Sequence, residues 1–320
     1  MRRRTLLAAP LALPFVARAQ GGFPARTVRV IVPYAPGGGT DITARIMAQH
    51  AATASGQGFA VENRGGGASI PGTQAVATAA PDGYTLGVMD LSLVTNPGLF
   101  GARLPYDTER DFSAIGAVVA APHVLLAAQG GAARTLADFL ALARARPGDV
   151  TFAHAGNGTA NHLASVQLQM AAGLRLSLVG YRGAAPANAA VAAGEVPFGF
   201  SAIPSAKGQI EGNLLRALAV TGARRSPALP DVPTFAELGL PQMDTESVFG
   251  VIAPAGVPAE VVARLNALMV APARHAPIGP RMQEMGYTLM ASSAEDYATL
   301  MRREIGKWRQ VVATAGVQPE

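Results

Sequence analysis

Val28-Arg29-Val30-Ile31-Val32 runs through Pro33-Tyr34-Ala35 into Pro36-Gly37-Gly38-Gly39, and Thr40-Asp41 then opens a stretch with apolar residues at Ile42, Ile46 and Met47. A β-branched run, a glycine-rich turn and a helical period in that order read as strand, loop and helix. The design returns at Val150-Thr151-Phe152-Ala153, which leads into Gly156-Asn157-Gly158-Thr159 and a second helix with Asn161, His162 and Leu163 in its first turn. Each turn aims free backbone N–H groups and the positive end of a helix dipole at one point, with no side chain to block a close approach. An anion is the natural occupant. Neither loop carries the Lys-Ser/Thr of a P-loop or completes G-x-G-x-x-G, so a carboxylate suits them better than a nucleotide phosphate.

Further strands are expected at 59–62, 84–89, 114–119, 124–127, 176–179, 196–200, 215–220 and 248–253, beside those at 28–32 and 150–153. Helices are expected at 40–54, 136–145, 159–172, 185–193, 259–273 and 294–314. This alternation specifies an α/β fold with a mostly parallel sheet flanked by helices. From Pro258 onward the chain reads as almost wholly helical and needs a sheet face to cover, so it is expected to return to the first lobe. The second lobe is then an insertion over 121–245, and lobe 1 comprises 20–120 and 246–320. Two crossing strands would act as a hinge. Because open α/β sheets bind ligands at the carboxyl ends of their strands, the two loops are expected to face each other across an interlobe cleft.

Residues 1–19 read separately. Arg2, Arg3 and Arg4 precede an apolar stretch from Leu6 to Val16, and Ala17-Arg18-Ala19 has the small-x-small form of a cleavage site, which together make a secretory signal cleaved near Ala19. The pI of about 10.0 owes much to it. Without Arg2, Arg3, Arg4 and Arg18 the chain keeps 22 basic and 21 acidic residues, and no Lys/Arg run that would suit nucleic acid. There is no cysteine, hence no disulfide, thiolate chemistry or lipid-modified N-terminal cysteine. The five histidines show no metal-ligand spacing, and no cofactor motif is present.

Several further stretches, taken with these two loops, are similar to one family. They include Val61-Glu62-Asn63-Arg64, Pro81-Asp82-Gly83-Tyr84, Asn96-Pro97, Tyr181-Arg182-Gly183, Leu215-Arg216-Ala217-Leu218-Ala219-Val220, Leu229-Pro230-Asp231-Val232-Pro233-Thr234 and Ala253-Pro254-Ala255-Gly256-Val257-Pro258. The family is that of the tripartite tricarboxylate transporter substrate-binding receptors, also called Bug proteins, and the resemblance covers nearly the whole chain in order. It implies a periplasmic type II binding-protein fold, two α/β lobes with a hinge and an interlobe cleft for a small carboxylate, be it a di- or tricarboxylate, an aromatic acid or an amino acid. It also implies a periplasmic monomer whose partners are the membrane subunits of a transporter. The loops Pro36, Gly37, Gly38, Gly39, Thr40, Asp41 and Asn157, Gly158, Thr159, Asn161, His162 would then grip one carboxylate, with Thr40, Thr159 and Asn161 as side-chain donors and Asp90, Leu91 and Ser92 as a third wall. Where the family commonly reads Gly-x-Val-Asp and then Phe-Asp, this chain has Gly194-Glu195-Val196-Pro197 and Phe200-Ser201, so an ammonium-bearing ligand loses a counter-charge at Ser201.

Other candidates have two readings. Arg182, beside Tyr181, could bind a carboxylate through paired hydrogen bonds or sit solvated on its loop. His162 could donate to the ligand or serve as a structural partner, and Tyr34 could wall the site or belong to the core. Asp41 is expected to fix its own loop, since a carboxylate aimed at an anion would repel it. Two rival functions are a ligand sensor feeding a sensor kinase and a periplasmic hydrolase. The hydrolase lacks a G-x-S-x-G elbow.

Overall fold

The computed structural model describes residues 22–315. In chain order the elements are β1 (Val28–Val32), α1 (Gly39–Ser55), β2 (Phe59–Asn63), α2 (Ile70–Ala77), β3 (Thr85–Met89), α3 (Ser92–Phe100), β4 (Phe112–Ala128), α4 (Leu136–Ala145), β5 (Thr151–His154), α5 (Ala160–Ala172), β6 (Ser177–Gly180) and α6 (Ala184–Ala192). They continue with β7 (Phe198–Ala202), α7 (Ile203–Glu211), β8 (Leu215–Val220), β9 (Glu246–Pro254), α8 (Ala259–Met269), α9 (Ile278–Glu284), β10 (Thr288–Leu289) and α10 (Ala294–Ala315).

The strands form one curled mixed sheet in the order β2-β1-β3-β9-β4-β7-β5-β6, with β8 and β10 also pairing with β4. Parallel pairs (β1 with β2 and β3, β5 with β6 and β7) sit toward the two ends, and the strands that join them, β9 and β4, run antiparallel to their neighbours. Parallel strands are buried on both faces, and β1 shows how. Val28, Val30 and Val32 enter a core beneath α1 and α8, while Ile31 enters the core on the other face with Met89, Tyr297 and Trp308. The far half repeats the arrangement, with Phe139, Phe152 and Phe200 in one core and Val124, Leu126 and Val191 in the other.

The expected strands 114–119 and 124–127 are a single strand. β4 continues through Pro122, where it leaves its pairing with β9 and takes up β7 and β8. A proline is tolerated at that change of partner because it supplies no ladder donor. The chain returns at Thr245, and the two crossings are tied together: the His123 N–H donates to Thr221 Oγ1 (2.8 Å), and the Thr221 hydroxyl donates to the Thr245 carbonyl (2.8 Å).

The expected helix 259–273 stops at Met269, and a tight 3-10 turn (Ala271–Arg274) containing Pro272 follows, since proline cannot supply the next helical N–H. The segment after Pro258 does cover the first half of the sheet, with α10 lying on α3 and β4. It is not wholly helical: β10 pairs with β4 at Val119 and Ala120. The helices α2, α3 and α7 have no counterpart among the expected helices, whereas α9 falls within the helical stretch expected after Pro258.

Candidate functional site

The turn before α1 is set by its own residues. Gly37 adopts φ 89°, a conformation that favours glycine. Its N–H donates to Asp41 Oδ2 (2.9 Å), and the same carboxylate accepts from Arg45 Nε (2.9 Å) and Asn63 Nδ2 (2.9 Å). Burial raises the Asp41 pKa, but the bonds from Arg45, Gly37 and Asn63 outweigh it and hold the group below its ordinary value. Asp41 therefore fixes the loop, and Pro36 lies exposed at its tip. Gly38 is the helix cap, with no side chain to satisfy the first-turn donors.

Gly38, Gly39 and Thr40 line a central cleft with Tyr34, Asp90 and Asn161. Across it stand two further helix N-termini. α6 begins at the Gly183 cap and α7 at the Ala202 cap, and neither has a capping side chain. A Cβ built on Gly38 would lie 3.8 Å from the Ala184 Cβ and 3.9 Å from its backbone nitrogen, so the ends of α1 and α6 nearly touch. Ser205, in the first turn of α7, also lines the cleft, and its buried hydroxyl has no hydrogen-bond partner among the described residues. The cleft encloses about 20 Å³, room for about one water molecule. It adjoins an outer chamber of about 410 Å³ through Tyr34 and Ala155, which line both.

One wall is a buried polar cluster. The Tyr34 hydroxyl is 2.7 Å from both Asp90 Oδ1 and Ser92 Oγ, and the Ser92 N–H (3.0 Å) and hydroxyl (2.7 Å) also donate to Asp90 Oδ1. Burial raises the Asp90 pKa and, helped by the Asp90 charge, keeps the Tyr34 phenol far above its ordinary value. Leu91 lines a different pocket, behind Asp90.

The second glycine-rich loop is used differently from the first. The Thr159 hydroxyl donates to the Gly156 carbonyl (2.6 Å) and accepts from the His162 N–H (3.3 Å), so it caps α5. Gly158, at φ 74°, packs against α3: its carbonyl accepts from Thr95 Oγ1 (2.6 Å), and a Cβ there would meet Asn96 Oδ1 at 2.5 Å. His162 stacks on His154 with ring centroids 4.7 Å apart. Thr159 and Asn157 line the outer chamber together with Tyr181 and Arg182. The Arg182 carbonyl accepts from the Ala35 N–H (3.1 Å), and no acid among the described residues pairs with its guanidinium. Ser201 is fully buried and accepts from Asn188 Nδ2 (3.0 Å).

Asn161 does reach the central cleft, held from both ends. Its Nδ2 donates to the Phe200 carbonyl (2.8 Å), and its Oδ1 is 3.0 Å from His123 Nε2. Ser247 Oγ, also lining the cleft, is 3.2 Å from that nitrogen. Burial lowers the His123 pKa to about 4. Thus the structure gathers Tyr34, Gly38, Gly39, Thr40, Asp90 and Asn161 at the centre and places the rest around it. Sequence reading missed Ser205, Ser247 and the ends of α6 and α7. Pro204, in the first turn of α7, is a helix-start signal that could have located one of them.

The profile of the tripartite tricarboxylate transporter family receptor matches residues 43–317. A UPF0065 protein from the tcbD-tcbE intergenic region of Pseudomonas sp. (strain P51) is 36% identical over 315 residues, covering 97% of this chain and 94% of that protein. Three solved structures are also similar. The periplasmic binding protein BugD is 30% identical (TM-score 0.88; 93% of this chain, 100% of that one). An R. palustris protein with adipate is 31% identical (TM-score 0.90; 93% and 100%). MatC from Rhodopseudomonas palustris, with bound malate, is 30% identical (TM-score 0.85; 91% and 100%).

Proposed function

Because this chain belongs to the family of tripartite tricarboxylate transporter receptors, we propose that it is an exported solute-binding receptor that holds a small aliphatic carboxylate where α1, α6 and α7 converge. The observation that carries this reading is the buried Ser205 hydroxyl, which has no partner among the described residues and stands at the uncapped start of α7 in one cleft with the uncapped ends of α1 and α6. Unpaired buried donors and converging helix dipoles favour an anion with several acceptor oxygens. Adipate and malate in the two Rhodopseudomonas structures support a dicarboxylate of about that size.

In this reading the first carboxylate takes N–H groups at Gly38, Gly39 and Thr40, the hydroxyls of Thr40 and Ser205, and the Asn161 amide. The rest of the ligand extends toward the outer chamber, where Asn157, Tyr181 and Arg182 stand. The lobes divide at 120/121 and 245/246 and open about the two crossings to admit it, since the closed cleft is far too small. Residues 1–19, which lie outside the described residues, direct export to the periplasm. The partners are the membrane subunits of a tripartite transporter, and the receptor acts as a monomer without chemistry of its own.

The test is a melting-temperature screen of the mature chain against mono-, di- and tricarboxylates and their amides. A ligand at a hundred times its Kd stabilises the native state by about 2.7 kcal/mol. One class of acid should raise the melting temperature, its amide should not, and Ser205→Ala should lose most of the rise while leaving the unliganded melting temperature unchanged. An acid that shifts the wild type and Ser205→Ala equally would place the carboxylate elsewhere. No shift with any acid, in protein shown by mass spectrometry to carry no ligand, would refute the reading.

A further inference from the structure

His123 follows Pro122 on β4, where the strand changes partner, and it is fully buried. Its ring spans the hinge. Nδ1 is 3.2 Å from the Thr245 carbonyl of the return crossing, while Nε2 is 3.0 Å from Asn161 Oδ1 in the first turn of α5 and 3.2 Å from Ser247 Oγ on β9. Asn161 and Ser247 both line the central cleft, so one side chain stands between the crossings and the site.

The acceptors around this ring outnumber the protons of a neutral imidazole. The Asn161 amide is held with Oδ1 toward the ring, because turning it would set that oxygen against the Phe200 carbonyl, which accepts from Nδ2 at 2.8 Å. With its proton on Nδ1 the ring serves the Thr245 carbonyl and turns a lone pair on Asn161 Oδ1. With the proton on Nε2 it serves Asn161 and turns a lone pair on the Thr245 oxygen. Only the imidazolium donates to both. Burial withholds the second proton, lowering the pKa to about 4 against the opposing pull of Thr245 and Asn161.

No charged side chain contributes to that balance. Asp244 and Glu246 flank Thr245 and line the pocket under α10, Asp90 across the cleft is bonded to Tyr34 and Ser92, and His162, beside Asn161, stacks on His154. β7 brings no titratable group, and Arg216 of β8 pairs with Ala127 at the far end of its strand. An anion in the cleft supplies the missing charge, since the residues bonded to Nε2 are the ones that line it.

We propose that His123 is a positioning residue that couples the site to the hinge: as a carboxylate settles against Asn161 and Ser247, the ring takes one proton from solvent and, as an imidazolium, ties Asn161 to the Thr245 crossing. This role rests on the reading of the cleft as a carboxylate site. One N–H bond forms on the ring, the proton comes from water or buffer, and the buried carboxylate and imidazolium offset each other's charge. The receptor then binds more tightly as pH falls.

The experiment is calorimetric titration of the mature chain and of His123→Gln with malate and adipate, and with any other acid that the melting-temperature screen selects, at pH 7, 6 and 5. Each titration is run in two buffers of different ionisation enthalpy, which counts the protons taken up per acid bound. Uptake by the wild type should exceed uptake by His123→Gln, by an amount that grows toward one proton as pH falls; protonation of the acids themselves cancels in the comparison. The ratio of wild-type to variant affinity should grow with it, by up to about tenfold per pH unit, the limit for one linked proton. Should His123→Gln fail to fold, imidazole NMR of the wild type decides, and saturation with acid should raise the His123 pKa by about one unit or more. Equal proton uptake in wild type and variant, or a His123 pKa unmoved by a bound acid, would overturn the coupling and leave the carboxylate site standing. Binding of no acid at any pH would overturn both.

Discussion

Thr95→Val tests lobe closure without touching the ligand. Thr95 is fully buried, and its hydroxyl donates across the interface to the Gly158 carbonyl at 2.6 Å. Neither residue lines the central cleft. Valine keeps the shape and removes the donor, so the closed form retains a buried carbonyl with no partner, while in the open form water supplies one. That penalty is about 1 to 3 kcal/mol and falls on the closed form alone. If the ligand is held only when the lobes are closed, its affinity should drop by roughly five- to 150-fold. The assay is isothermal titration of the best acid from the melting-temperature screen, alongside small-angle scattering with and without it. Equal affinity in variant and wild type, both compacting on ligand, would refute the claim that closure is sealed by the packing of Gly158 on α3.

Gly158→Ala should act the same way and more strongly, since its methyl would meet Asn96 Oδ1 at 2.5 Å and its φ of 74° disfavours alanine; ligand-free protein that stays folded but no longer compacts on ligand is the expected scattering result. Asp41→Ala removes an acceptor for Gly37, Arg45 and Asn63, and should lower affinity about tenfold or more by loosening the α1 turn; titration calorimetry checks it, and unchanged affinity would count against the role of this loop. Stability should depend on acid through two buried histidines, His123 and His154, each with its pKa lowered by burial to about 4. Their depressed values mean that the stabilisation is complete above the unfolded pKa of about 6.5 and is lost as pH falls toward 4, by about 1.4 kcal/mol per pH unit for each group. Calorimetric melting between pH 7 and 4 should show that slope, and His123→Gln should reduce it; a flat profile would mean that these rings are solvated.

The alternation of β-branched and alanine-rich runs was enough to place most strands and the longer helices, because parallel strands buried on both faces and helices of three or more turns leave strong patterns. In sequence β4 reads as two strands, 114–119 and 124–127, with Pro122 between them, and only tertiary structure shows that one ladder changes partner there. The short helices were illegible for a related reason. α3 contains Pro97 and is mostly buried, so it shows no amphipathic stripe, and α7, which opens with Ile203-Pro204, is only nine residues long.

The site was half legible, and the missing half turns on capping. A glycine-rich run before a helix is visible in sequence, and both such runs read there as anion grips. Thr159 differs from Gly38 in one respect: its hydroxyl caps its own helix. α4 and α10 are likewise capped by Thr135 and Ser293, and α3 has its first donor taken by Asp90. α8 begins uncapped at Pro258, but its first turn is exposed and water can reach it. A helix end that is both uncapped and buried is costly unless something else accepts its N–H groups. Gly39 and Thr40 of α1 and the Ala202-Ile203 start of α7 meet that condition on opposite walls of one cleft. In the proposed reading it is the residue that cannot cap, more than the glycines around it, that marks the place of the carboxylate.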